Sequence, residues 1–491
     1  MSAVAAPSAS RLGTRVLDIP EASLVFAALA AWTALVYLPF YRLDGPDDSF
    51  YVEAAHLWTR GLPLYAGAFD VKAPGFFAIL AAAQLVFGAN LATLRGVTIV
   101  FTALAATALY ALARARSGRP AAILCAGLFP ILFEIFGDAA YATLCAFTGL
   151  AFLAALSRAP LARRAALGGL AIGAACAVKQ TAALEAIALM AILASDPSAE
   201  GRALKILGAF VACASLAPLG FAAYYAARGD FGVFFADVAV HAIQRPEAAA
   251  DAISFGAGLR RSVTMQFPIF PLTLCAIAAF AARRRLPPGF PLGAVVIWLA
   301  ATWLAFVLQH GISAYYLAPA LAPLLLLASA ALDGLAKGAP RALILAVFAA
   351  AVVYCAVAFR GAAIMLGLQP VDGKALAIAA AAIEAAGPGA ADTLFVVSRG
   401  GWLNSMTNLA PPTPYFHWFH TLCDFPGAGA GRLAEALAAR PRFLVLADPA
   451  KRFGCELDSH RSLVRDAVAS SYRPLIRAEG DFDTYGVYEL R

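Results

Sequence analysis

The chain has 491 residues, 62% of them hydrophobic and only 14% charged, and a formal net charge of +7. A soluble protein carries roughly 25% charged residues and could not hide this much apolar surface, so lipid must cover part of the chain. The positive balance does not mark a nucleic-acid partner, because the basic residues are spread through short loops between apolar runs.

A helix needs roughly 20 apolar residues to cross the hydrocarbon core. The runs that qualify, in chain order, are Ala22–Phe40, Leu91–Ala113, Pro120–Phe136, Ala139–Leu156, Ala165–Val178, Thr181–Ala194, Ile206–Ala227, Gln266–Ala282, Pro291–Leu308, Ile312–Leu332 and Ala342–Phe359. No small-residue cleavage site follows the first, which reads as a retained span. The shorter run Pro74–Phe87 reads as an interfacial helix, on grounds of charge. With it outside the count, Arg11 and Arg15, Arg114, Arg116 and Arg119, Arg158, Arg163 and Arg164, Arg202 and Lys205, Arg283 to Arg285, and Lys337 with Arg341 all fall on one side. That side is the cytoplasmic one. Counting Pro74–Phe87 as a span would put most of these clusters outside. The fold class is therefore mainly α. It is a multi-pass protein of the cell inner membrane with about eleven transmembrane helices, N-terminus in the cytoplasm and C-terminus outside.

Two outer loops are long, Tyr41–Ala73 and Arg228–Met265, and both mix acidic, basic and aromatic residues, as a water-facing site would. Residues 1–360 form the membrane domain. From Gly361 the composition changes, and residues 361–491 read as a small α/β extracytoplasmic domain. Its strands are Thr393–Val397, Phe443–Ala447 and Tyr485–Leu490, and its helices Lys374–Ala386, Arg432–Arg440 and Arg461–Ser470. Cys423 and Cys455 lie in this domain, in an oxidising compartment, and are candidates for a disulfide; two free thiols are the alternative. The other six cysteines fall inside apolar runs as small core residues, with no metal-ligand spacing.

The first outer loop carries Pro46-Asp47-Asp48-Ser49-Phe50-Tyr51-Val52-Glu53. Adjacent carboxylates repel each other and suit metal binding or general-base work. A solvated helix cap with an acidic first turn is the plainer reading. Asp70-Val71-Lys72-Ala73-Pro74-Gly75 follows, where Lys72 can bind phosphate as a point charge or simply snorkel.

The combination of Pro-Asp-Asp-x-x-Tyr-x-Glu with a later Lys-x-Pro segment resembles the first outer loop of the GT-C glycosyltransferases. The bacterial aminoarabinose transferases that modify lipid A are the nearer pattern and the protein O-mannosyltransferases the more distant. The resemblance covers the layout of residues 22–332 and implies a polyprenyl-phosphate-linked sugar donor. It gives Asp47 and Asp48 the catalytic role, with Tyr51 beside them, and Lys72, Lys179 and Arg245 the donor phosphate. Asp70, Asp138 and His241 are its candidates for a divalent metal ion or for the acceptor, with Glu134 an alternative to Asp138. Metal need differs among the family's members. His241-Ala242-Ile243-Gln244-Arg245 is similar to a His-Ile-Gln-Arg stretch in the aminoarabinose transferases. Tyr315 and Tyr316, ahead of Pro319, resemble a late Tyr-x-x-x-x-Pro motif; an interfacial aromatic belt would also place them there.

The expected activity is inverting transfer of a sugar to an extracytoplasmic acceptor: lipopolysaccharide, another glycolipid, a glycan or a protein. Two rivals are weighed. A transporter or flippase would carry midplane charges and internal repeats, which are absent from the sequence. A lipid-linked glycan ligase or polymerase would use basic residues in a late outer loop rather than an early acidic pair.

Overall fold

The computed structural model describes residues 19–38, 43–44, 47–136, 138–244, 272–273, 277, 286–287, 289–309, 314–335, 353, 369–397, 402–417, 426–447, 458–481 and 484–491. Arg245, Cys423 and Cys455 lie outside these residues, as do nearly all of the expected spans 266–282 and 342–359.

Among the described residues, four helices are long and apolar enough to cross a membrane: Pro20–Tyr37, Leu91–Arg114, Leu161–Val178 and Ala203–Arg228. They belong to helices α1 (Ile19–Tyr37), α4 (Leu91–Arg114), α7 (Leu161–Val178) and α9 (Ala203–Arg228). The shorter apolar helices α6 (Ala139–Ala155), α8 (Ala182–Ala194) and α11 (Leu292–Leu308) pack with them, as do α5 (Arg119–Phe136) and α12 (Leu321–Leu335). The outward face of α9 is apolar, with Leu204, Leu216 and Leu219 all exposed, which suits contact with lipid chains.

Small residues set the closest approaches. A Cβ added at Gly169 of α7 would lie 2.5 Å from the Phe210 carbonyl of α9, and one at Gly173 would strike the Ala214 backbone. Without a hydrophobic drive between helices in lipid, this kind of backbone approach supplies the packing. Trp32 Nε1 donates to the Gly127 carbonyl at 2.9 Å, which fixes α1 on α5.

The first long loop contributes α2 (Asp48–Thr59), and α3 (Gly75–Phe87) follows it. With 13 residues, α3 is about 20 Å long, shorter than the ~30 Å hydrocarbon core. Its first turn is buried while Leu85, Val86 and Phe87 at its other end are exposed. A Cβ at Gly75 would sit 2.6 Å from the Ala177 carbonyl, so α3 starts in direct backbone contact with the end of α7. The second long loop opens with α10 (Phe231–Phe235), which runs into a π-helical turn, Ala236–His241.

The C-terminal region forms a four-stranded sheet in the order β3-β4-β6-β5, where β3 is Leu394–Val396, β4 Phe443–Ala447, β5 Tyr472–Glu479 and β6 Thr484–Leu490. β3 and β4 are parallel, and the other two pairings are antiparallel. Helices α13 (Gly373–Ala385), α15 (Pro426–Ala438) and α16 (Asp458–Ser471) match the expected amphipathic segments within a few residues at most ends. The sequence reading missed β5. Its charged residues Arg473, Arg477 and Glu479 mark a sheet edge with one wet face rather than an apolar run. It also missed α14 (Trp402–Thr407), which packs on α2.

The sheet domain is tied to the first long loop at several points. The two-residue strand β1 (Leu43–Asp44) pairs antiparallel with β2 (Gln369–Pro370). Arg60 donates to the Asn408 carbonyl at 2.9 Å, and the Phe69 amide donates to the Pro414 carbonyl at 2.9 Å.

Candidate active site at the bundle end

Asp47 stands just before α2 but its side chain makes no capping hydrogen bond. Its carboxylate, 4% exposed, turns instead to Lys72, whose Nζ lies 3.3 Å from Asp47 Oδ2. The same ammonium is 3.3 Å from Asp70 Oδ2. The second oxygen of Asp70 accepts the Val71 and Lys72 amides at 2.7 and 3.1 Å, so the carboxylate is fixed by its own turn. The Tyr65 hydroxyl donates to the Lys72 carbonyl at 2.7 Å, and Gln180 donates to the carbonyls of Val71 and Val238 at 2.8 and 2.9 Å. These bonds pin the Lys72 segment to the α7–α8 junction and to the second long loop. The buried charges here are paired, as burial requires.

Tyr51 lies one helical turn after Asp47 and is fully buried. Its hydroxyl donates to Asp138 Oδ2 at 2.8 Å and lies 3.4 Å from Asp47 Oδ2. Burial, with the Asp138 and Asp47 carboxylates adding to it, holds the phenol well above its ordinary pKa, so it remains a donor. Asp138 caps α6, its other oxygen accepting the Ala140 and Tyr141 amides at 2.9 and 3.2 Å. Burial and the neighbouring Asp47 raise its carboxyl above the usual range, to about 6.

Asp48 faces elsewhere. It pairs with Arg95 of α4 at 2.7 Å. The two adjacent carboxylates thus point to different cations, which removes the repulsion that made the pair notable in the sequence. Glu134, the alternative to Asp138, lies buried on α5 with Arg95 and Asp48 as its electrostatic neighbours.

Lys179 ends α7, and its ammonium lies 4.5 Å from the ring centre of Tyr141 and 4.6 Å from that of Tyr316. Two aromatic faces around one ammonium make a cation–π cradle. Tyr315 completes the cluster, 5.4 Å from Tyr141 and 5.0 Å from Tyr316, ring centre to ring centre. The aromatic-belt alternative for these tyrosines does not describe their position, because both are buried.

His241 Nδ1 lies 2.7 Å from Asp237 Oδ1, one turn away. Its ring is 5.9 Å from Phe69, which packs at a tilt against Tyr415, and the Arg432 guanidinium sits 4.5 Å from the ring centres of Phe69 and Tyr415. Among the described residues, no three His, Cys, Asp or Glu side chains are grouped to hold a metal ion.

Sequence reasoning missed several residues. Asp237 was legible in principle, standing four residues before His241 on one helical face. Tyr141 follows Asp138 by three residues in the same way. Arg95, Gln180 and Arg432 carried no local signal, since each acts across a long sequence separation. Glu53, quoted within the motif but given no role, is fully buried, and among the described residues neither carboxylate oxygen has a hydrogen-bond partner. Burial raises it well above the usual carboxylate range, which favours its protonated form.

No protein-family model and no curated protein matches the sequence. Solved structures do match in fold. ArnT from Cupriavidus metallidurans bound to undecaprenyl phosphate superposes with a TM-score of 0.62 at 16% identity, over 96% of this chain and 98% of that one. The same protein in its apo state gives a TM-score of 0.59 at 16% identity, over 95% and 97%. The Archaeoglobus fulgidus oligosaccharyltransferase in complex with zinc and sulfate gives 0.50 at 16% identity, over 86% of this chain and 67% of that one. The chain thus shares the fold of ArnT over almost its whole length, in line with the resemblance carried by the loop after its first helix.

Proposed function

We propose that the protein is an inverting glycosyltransferase that moves a sugar from a polyprenyl-phosphate carrier to an extracytoplasmic acceptor. The observation that carries this reading is the buried Asp47 carboxylate, held by Lys72 beside the Tyr51–Asp138 link at one end of a lipid-facing bundle. The ArnT structure with undecaprenyl phosphate lends support, since its fold is shared over almost the whole chain.

In this mechanism Asp47 takes the proton of the acceptor hydroxyl or amine as that atom attacks the anomeric carbon. The carbon–oxygen bond to phosphate breaks on the opposite face, and its electron pair leaves with the phosphate. Lys72 and Lys179, joined by Arg245, offset the charge that develops there. Their worth is greater in a low-dielectric site than in bulk water. Tyr51 and Asp138 position Asp47 rather than react. The prenyl tail lies in a groove between spans, and the sheet domain, bound to α2 through Asn408, shapes the acceptor side. The protein sits in the cell inner membrane with about eleven spans, its N-terminus cytoplasmic and the site facing the exterior.

The test uses purified full-length protein in lipid nanodiscs with radiolabelled polyprenyl-phosphate sugars and a membrane extract as acceptor source. Wild type transfers label, and Asp47→Asn loses roughly 100-fold or more of the rate. Equal transfer by Asp47→Asn would overturn the assignment of the base. No transfer by wild type with any polyprenyl-phosphate sugar would overturn the donor class.

A further inference from the structure

Val71 and Lys72 are buried, yet they lie in no helix or strand. Buried main-chain groups need partners, and regular structure usually supplies them. Here side chains supply every one. Asp70 Oδ1 accepts both amides, at 2.7 and 3.1 Å. Gln180 donates to the Val71 carbonyl at 2.8 Å, and the Tyr65 hydroxyl donates to the Lys72 carbonyl at 2.7 Å. The dipeptide is thus held on all sides, from its own loop and from the α7–α8 junction.

Tyr65 makes its bond from a strained position. Its φ is +73°, in the left-handed region. That region is costly for a bulky side chain, because the Cβ crowds the neighbouring carbonyl. A turn maintains it, with the Tyr65 amide donating to the Ala68 carbonyl at 2.7 Å. The ring packs on Tyr225 of α9 and Phe234 of α10, at 5.4 and 5.7 Å between centres. Glycine would make the same turn without strain, but it has no hydroxyl to reach Lys72. Strain that the surroundings hold in place is found where function needs exact placement.

What this clamp fixes is the origin of the Lys72 side chain. The ammonium stands 3.3 Å from both Asp47 Oδ2 and Asp70 Oδ2. To meet an incoming phosphate it needs only side-chain torsions, because the main chain is already ordered. The entropy of that ordering is lost on folding and not on binding.

We propose that Tyr65 and Gln180 are positioning residues for the donor phosphate, acting through the main chain of Lys72. The inference rests on the reading of a polyprenyl-phosphate donor given above, and it adds two residues that never touch the donor.

The experiment is a native mass-spectrometry titration of the full-length protein in detergent, with decaprenyl phosphate against decaprenol. Wild type is expected to bind the phosphate more tightly than the alcohol. Tyr65→Phe keeps the ring and its packing and removes the hydroxyl. It should weaken decaprenyl phosphate by about tenfold and leave decaprenol unchanged. General loosening of the fold would weaken both lipids. In a Lys72→Met background, Tyr65→Phe should have no further effect. Gln180→Met should behave like Tyr65→Phe in both backgrounds, and it serves if Tyr65→Phe does not fold. Three results would overturn the inference while leaving the donor class standing: undiminished phosphate binding in either variant, equal weakening of both lipids, or a full effect that persists without Lys72. Equal binding of both lipids by wild type would overturn the donor class and the inference together.

Discussion

The Tyr51 hydroxyl meets Asp138 Oδ2 at 2.8 Å, and this bond joins the helix of the first long loop to the cap of a bundle helix. The two residues are far apart in sequence, yet both are buried and both lie beside Asp47. The loop that carries the candidate base is therefore set by the bundle.

Tyr51→Phe removes that link without changing the ring. A hydrogen bond to a charged group is worth about 1.5–3 kcal/mol, so thermal unfolding should shift down by that much, and transfer should fall about tenfold. A variant with wild-type stability and rate would show that the bond does not position Asp47.

Asp138 also makes stability depend on pH. Burial and Asp47 raise its carboxyl to about 6 in the folded protein. An acid that holds its proton more tightly when folded contributes stability below its unfolded pKa of about 4 and loses it as pH rises through the folded value, after which stability no longer changes. Asparagine keeps the capping ability and removes the charge. Relative to wild type, Asp138→Asn should therefore gain on the order of 1–3 kcal/mol between about pH 5 and about pH 8. Denaturant titrations at both values check this, and a stability difference that does not change with pH would refute it.

Arg95 and Asp48 form a largely buried pair at 2.7 Å. Arg95→Met removes this cation from a largely buried carboxylate and should cost about 3–5 kcal/mol. Adding Asp48→Asn should recover part of that loss, because the charge that faced Arg95 is gone. Unfolding of the two single variants and the double variant tests the pair directly. Full additivity would mean the two side chains do not act together.

Gly75 sets the height of α3 on α7. A Cβ there meets the Ala177 carbonyl at 2.6 Å, and backbone cannot swing aside as a flexible side chain can. Gly75→Ala should destabilise by about 1–3 kcal/mol. It should also slow transfer, because the displaced segment carries Lys72. Unaltered rate and stability would show that α3 is free to shift.

Much of the architecture could be read from the chain. Apolar runs of the right length gave helices α4, α6, α7 and α9 nearly in full, since period and length are local properties. The acidic loop and the Lys72 segment stood out for the same reason. How the neighbouring Asp47 and Asp48 would divide in space was not legible. Nothing in two adjacent letters says that one carboxylate will turn to Lys72 and the other to Arg95. Likewise Lys179 was visible as a charge at a span end, but its cradle of Tyr141 and Tyr316 was not.

By itself the sequence determined that this protein needs lipid, where many of its helices run, and that an acidic loop follows the first of them. These follow from hydrophobic length and charge, which each segment carries alone. Only the tertiary structure decided which carboxylate has which partner, that Tyr51 reaches Asp138, and that the sheet domain rests on α2. Those contacts are made between segments far apart in the chain, and their partners are chosen by how the helices pack.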